Sequence, residues 1–283
     1  MTTSELSAGN ARIREAAKLR QKKCRRETGC ILIEGARLVA DALDAGANIK
    51  ELFCTAAFLD SEGGRVLGST ADAPPRAPRG AYGRPLPPEV AISAITDAAA
   101  AKLSDTRTPQ GVFAVAEFAT TMVDEVAFGI DALVLVADGI SDPGNLGTMI
   151  RSAAALGACC AVASGDSCDV LNPKCVRATM GAIFRVPVVA DVVLADTIEK
   201  LRSRGLCIAA AVAHGGRPPW QVDLERPTAL LIGAEAGGLS KESLDLADML
   251  ITIPMHHGAE SLNAAAGAAA LLYEAARQRA KGM

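Results

Sequence analysis

Half of the 283 residues are hydrophobic and 22% are charged, a balance that excludes an intrinsically disordered chain and leaves room for two modest cores. Aromatic residues make up 3%, which argues against base stacking as the main mode of any nucleic-acid binding, and no apolar run reaches the roughly 18–20 residues that a bilayer span needs. The N-terminus is polar and then basic, without the apolar centre of a signal peptide, so a cytoplasmic protein is expected.

The net charge of −3 conceals a block in which Arg12, Arg14, Lys18, Arg20, Lys22, Lys23, Arg25 and Arg26 are opposed only by Glu15. Such a block suits a phosphate backbone, and equally a solvated helix face or arm. Residues 31–33 then read as a buried strand, 36–45 as a helix stopped by Gly46, and 49–54 as a second strand, the opening of a small α/β domain. Residues 63–88 are rich in Gly, Pro and Ala and read as a loop or insertion; 91–103 look partly helical and 111–118 alternate like a closing strand. We place an N-terminal domain at 1–118, a linker at 119–129 and a second domain at 130–283.

In the second domain the strand candidates are 133–137, 158–163, 187–193, 207–212, 229–232 and 250–254. The helix candidates are 148–156, 174–184, 197–204 and 262–279. This alternation predicts a mainly parallel sheet covered on both faces, with its ligand at the carboxyl ends of the strands. The eight cysteines are scattered, none forms a Cys-x-x-Cys pair, and the three histidines complete no zinc pattern. Free thiols and no metal are expected.

Three stretches carry chemistry. The first, Asp142-Pro-Gly-Asn145-Leu-Gly-Thr-Met-Ile-Arg151, follows an apolar strand, and a Gly/Pro turn there leaves backbone N–H groups free at a helix start. The second, Leu231-Ile-Gly233-Ala234-Glu235-Ala-Gly237-Gly238-Leu-Ser240, is a glycine turn able to approach a ligand closely. It is not the G-x-G-x-x-G dinucleotide fingerprint. The third, Ile253-Pro-Met255-His-His257-Gly-Ala-Glu-Ser261-Leu262-Asn263, runs into an alanine-rich helix; Ser261 and Asn263 also suit simple helix capping.

Taken in order, the three motifs resemble those of the SpoU/TrmH RNA 2′-O-methyltransferases of the SPOUT superfamily, in their rRNA-modifying branch. Ile33-Glu-Gly-Ala-Arg37, Ser104-Asp-Thr-Arg-Thr-Pro-Gln-Gly111 and Asn172 to Arg185 add to the likeness, which covers most of the chain outside 63–88. The resemblance implies an α/β protein whose C-terminal, mainly parallel sheet carries a deep trefoil knot, preceded by a ribosomal-protein-like α/β domain that docks RNA. It implies S-adenosylmethionine held near Gly233, Ala234, Glu235, Ile253, Met255, Ser261 and Leu262, largely by backbone groups, and an obligate homodimer in which each site is completed by the partner.

Arg151, Asn145, Ser261, Asn263 and Glu235 are the implied catalytic residues. Arg151 serves either as base or as an electrostatic stabiliser of the reacting hydroxyl, with Glu235 pairing with Arg151 or fixing the dimer. The implied reaction is methyl transfer to a ribose 2′-hydroxyl of structured RNA, most of all large-subunit (23S) rRNA. A tRNA methyltransferase and a non-catalytic assembly factor are the alternatives; a nucleotide-dependent oxidoreductase is disfavoured by the missing fingerprint. Two positions depart from the family pattern: Ala234, where Asn or Ser is frequent, and His257, where Gly is usual.

Overall fold

The computed structural model describes residues 5–61, 90–235, 237–256 and 260–280. The stretch 63–88, expected to be a loop, and His257 lie outside them. The chain divides into two compact units, Met1–Ala119 with Leu171–Phe184, and Thr120–Val170 with Arg185–Met283.

In the first unit, helices α1 (Ala11–Lys18) and α2 (Lys22–Thr28) precede strand β1 (Cys30–Glu34), helix α3 (Ala36–Asp44), strand β2 (Ile49–Thr55) and the short helix α4 (Ala56–Leu59). Strand β3 (Ala91–Ile95), helix α5 (Asp97–Leu103) and strand β4 (Val112–Glu117) complete the unit's own run of elements. The sheet order is β1-β4-β2-β3, with β4 antiparallel to both neighbours and β3 parallel to β2. The expected β-α-β opening is therefore present, but with β4 inserted between its two strands.

The segment expected to be partly helical from 91 begins instead as an edge strand. Its helix starts only after Thr96, whose side chain accepts a hydrogen bond from Ala99 N. Phe53 and Phe113 are fully buried in this unit's core, with Ile13 and Ala16 of α1 packed among them.

The buried carboxylate of Glu34 organises the far end of β1. It accepts hydrogen bonds from Ser104 Oγ at 2.8 Å and from Gln110 N at 3.0 Å, so two of the stretches singled out in the sequence, 33–37 and 104–111, meet at this one group. Gly35 turns at φ +105° with the Gln110 side chain where a Cβ would stand. Helix α6 (Pro173–Ala178) also belongs to this unit. It stops at Ala178 and does not run on to 184 as expected, because Met180 and Gly181 both take positive φ. A Cβ on Gly181 would fall on the buried Asp41 side chain.

The second unit holds six strands: β5 (Leu133–Ala137), β6 (Cys160–Ser164), β7 (Val188–Val192), β8 (Cys207–Ala211), β9 (Thr228–Ile232) and β10 (Met249–Ile251). All pairings are parallel, in the order β10-β8-β9-β5-β6-β7. Every residue of β5 and β9 is buried, as expected of strands covered on both faces.

Helices α7 (Pro143–Ala155), α8 (Leu194–Ser203), α9 (Lys241–Asp245) and α10 (Ala264–Arg279) complete the unit. Helix α7 begins five residues before the expected 148. Pro143 fits its first turn, and Asp142 caps it by accepting from Asn145 N at 2.9 Å. Among the described residues no helix is long and apolar enough to cross a membrane, and no cluster of His, Cys, Asp and Glu could hold a metal. Burial pushes the Cys54 and Cys160 thiols up to about 12, so both stay protonated near neutrality.

Candidate active site

Because the sheet is parallel, the carboxyl ends of β5, β8, β9 and β10 lie on one edge, and each leads into a turn there. A cavity of ≈ 560 Å³ opens at that edge, walled by residues 211–214 after β8, by the glycine turn after β9, and by Ile253, Met255 and residues 260–264 after β10. The small face of α10, with Gly267, Ala268 and Leu271, closes its back.

The glycine turn is tight for a physical reason. Ala234 N donates to Gly238 O at 3.1 Å and Gly238 N returns a bond to Ala234 O at 2.9 Å, pulling the two arms of the turn together. A Cβ on Gly233 would fall on the backbone of Gly238 and Leu239, and Gly238 itself sits at φ +65°. Glycine is therefore required at 233 by the turn's own backbone, before any ligand is considered.

All seven residues expected around a cofactor, Gly233, Ala234, Glu235, Ile253, Met255, Ser261 and Leu262, line this one cavity. Asn263 lines it too and caps α10, its Oδ1 accepting from Ala265 N at 3.0 Å and Ala266 N at 3.2 Å. Asn145 stands at the first turn of α7 and links the other two motifs. Its Nδ2 donates to Glu235 Oε1 at 2.6 Å, and its Oδ1 accepts from Asn263 Nδ2 at 3.0 Å. The hydrogen bonds thus run in one direction, from the α10 amides through Asn263 and Asn145 to the Glu235 carboxylate. Ser141 Oγ reaches the other carboxylate oxygen at 3.5 Å.

Arg151 stands apart. Six residues beyond Asn145 on the same helix, it is displaced by roughly 240° around the axis and about 9 Å along it. It is exposed, it is not in the cavity wall, and it forms no hydrogen bond or ion pair with any described residue. Glu235 therefore pairs with Asn145 in this chain, and among the described residues no Glu235–Arg151 bond is made.

The motifs did not point to the residues at the end of β8 and in the turn after it, Ala211 to His214, nor single out Glu260. A strand's carboxyl end is a generic signal, and nothing local marks His214 as facing a cavity shared with segments that follow it by about 20 to 50 residues.

Residues 132–273 match the model of the SpoU rRNA Methylase family, and residues 10–114 match the MRM3-like substrate binding domain. The chain is 39% identical over 179 residues to the 23S rRNA (uridine(2479)-2'-O)-methyltransferase of Streptomyces viridochromogenes, an alignment that spans 62% of each protein. It is 30% identical over 267 residues to the 23S rRNA (guanosine(2553)-2'-O)-methyltransferase RlmP of Bacillus subtilis, covering 94% of this chain and 96% of that one. The crystal structure of the SpoU methyltransferase AviRb from Streptomyces viridochromogenes in complex with AdoMet superposes with a TM-score of 0.79 at 31% identity, covering 96% of this chain and all of that one. A parallel sheet with its cavity at the carboxyl edge, three motifs meeting there, and family matches over both halves lead to one conclusion: the chain belongs to the SpoU rRNA methylase family.

Proposed function

We propose that this protein transfers a methyl group from S-adenosylmethionine to a ribose 2′-hydroxyl of structured RNA, with large-subunit rRNA as the substrate. The observation that carries the reading is the position of Asn145, whose side chain is hydrogen-bonded at once to Glu235 of the second motif and Asn263 of the third, at the edge of the cavity those motifs wall. Three stretches far apart in sequence converge on one place. The named activities of the relatives, acting on 23S rRNA, support the choice of RNA.

The cavity suits the cofactor in size, falling within the roughly 300–1,000 Å³ of small-molecule sites, and the Cβ-free Gly233 lets the turn that forms one wall close tightly on itself. Gly233, Ala234, Ile253, Met255 and Leu262 would hold it through backbone and apolar contact; when bound, it supplies an electrophilic methyl group. The chain's own residues do the rest. Ser261 and Asn263 are exposed in the cavity wall, where they would orient the ribose. The Glu235–Asn145–Asn263 chain holds the three motifs in register. Arg151 binds the adjacent phosphate and offsets the negative charge developing on the 2′-oxygen. It does so as a cation, since guanidinium groups hardly ever deprotonate in proteins.

The separation of Arg151 from its own chain's cavity supports a homodimer in which Arg151 serves the partner's site. Helix α10 exposes Ala266, Ala270 and Tyr273 at i, i+4 and i+7, a smooth face open to a second copy. The family's trefoil knot belongs to this reading, placed in the turns of the second and third motifs. The cytoplasm, where the RNA is made and assembled, is the expected compartment.

Incubation with tritiated S-adenosylmethionine and unmodified total RNA tests the proposal. Label in a 2′-O-methylnucleoside from large rRNA is expected; label confined to tRNA overturns the substrate, and no label with any RNA overturns the activity. Arg151→Ala should abolish transfer, by at least about two orders of magnitude if it supplies oxyanion stabilisation, while cofactor binding survives. Retained turnover would remove Arg151 from the mechanism.

A further inference from the structure

The cavity wall carries two carboxylates and no lysine or arginine among its described residues. Glu260 is exposed there and makes no hydrogen bond or ion pair with any described residue. Among the described residues Glu235 is hydrogen-bonded only to the neutral groups of Asn145 and Ser141, and forms no ion pair with any of them. His214 is the one other titratable side chain among the described residues of the wall. A backbone-lined slot needs none of this charge to hold a neutral adenine.

We propose that Glu235 and Glu260 together make this cavity select the cationic cofactor over its spent form. This rests on the reading of the cavity as the S-adenosylmethionine site. In the transfer the methyl–sulfur bond breaks as the methyl–oxygen bond forms. Sulfur keeps the bonding electron pair and becomes a neutral thioether, and the hydroxyl proton leaves to solvent. The ligand's net charge thus falls from +1 to 0 within the same cavity. Two carboxylates that form no ion pair with the described residues of their own chain attract the first state and lose that attraction in the second, so methyl transfer itself weakens retention of the product. A single carboxylate in the wall of such a cavity, across partly aqueous surroundings, is worth a preference of about three- to fivefold, reduced by salt.

Titration calorimetry on the full chain, with S-adenosylmethionine, S-adenosylhomocysteine and sinefungin (which carries an ammonium in place of the sulfonium), reads this preference without turnover. Glu260→Gln is expected to lower the affinity ratio of S-adenosylmethionine to S-adenosylhomocysteine by about three- to fivefold, with sinefungin following the sulfonium compound. Glu260→Asp, which keeps the charge, should restore the ratio, and the difference between native and Gln proteins should shrink as salt rises. Equal weakening of all three ligands, or an unchanged ratio, overturns the proposal. Failure of the native protein to bind any of the three overturns the underlying cofactor reading instead.

Discussion

At the scale of single residues, Gly233 and Glu34 show how local geometry constrains substitution. The space a Cβ would need at Gly233 is occupied by the backbone of Gly238 and Leu239, which cannot swing aside as a flexible side-chain tip can. Gly233→Ala is therefore expected to open the turn, and S-adenosylmethionine binding by calorimetry should fall by at least tenfold; unaltered affinity would place the cofactor elsewhere. Glu34 is buried and accepts from Ser104 Oγ and Gln110 N. Glu34→Ala strands those donors, and chemical denaturation should register a loss of about 1–3 kcal/mol, with cofactor affinity unchanged because the cavity belongs to the other unit. A loss below about 0.5 kcal/mol would mean that water takes over both donors.

At the scale of elements, the basic block resolves into two short helices with several of its charges in use. Arg12 pairs with Glu51, Lys18 with Glu15 and Lys23 with Glu27, and the buried Arg25 donates to Leu19 O. Ile13, Ala16 and Leu19 are buried, so deleting the block would remove part of the first unit's core along with its charge. The test of RNA binding by this face is substitution. Arg14 and Lys23 are exposed, and Lys23 holds Glu27 only at 3.8 Å. With Arg14→Gln and Lys23→Gln together, the slope of log affinity for RNA against log salt should fall by about 0.7–0.9 for each phosphate no longer neutralised. An unchanged slope would make this face solvated surface.

The start of α7 is an element-scale lesson as well. A Gly/Pro-rich run reads locally as a turn, yet Asp142 caps the helix and Pro143 opens it, which carries Asn145 inside the first turn and fixes where its side chain points. Likewise Met180 and Gly181 end α6 early. Lys174, Arg177, Ala178, Met180 and Ala182 favour helix there, but Gly181 packs against Asp41, where no Cβ would fit.

At the scale of the whole molecule, the proposed dimer would bring Arg151 to a partner's cavity, since Arg151 is not among the residues that line the cavity of its own chain. Tyr273 is 60% exposed on α10, and Tyr273→Glu should shift the native mass in light scattering from two chains to one, with methyl transfer lost in parallel. A native protein that is already monomeric and active would end the shared-site reading.

The six parallel strands were legible because each is a short, mostly apolar run, from Leu-Val-Leu-Val-Ala in β5 to Met-Leu-Ile in β10, a signal contained in the segment itself. The cavity-lining Gly233, Ala234, Glu235, Ile253, Met255, Ser261, Leu262 and Asn263 were legible by their motif chemistry. Strand order, the insertion of β4 between β1 and β2, the joining of Glu34 to the 104–111 loop, and the placing of His214 and Glu260 in the cavity wall were decided only by tertiary structure. So were the bonds that make the candidate site one object, Asn145 to Glu235 and to Asn263, across 90 and 118 residues. Periodicity and turn chemistry act within a few residues, whereas these partners are chosen by which strands pack side by side. That choice depends on burying the whole apolar surface at once, and no single segment encodes it.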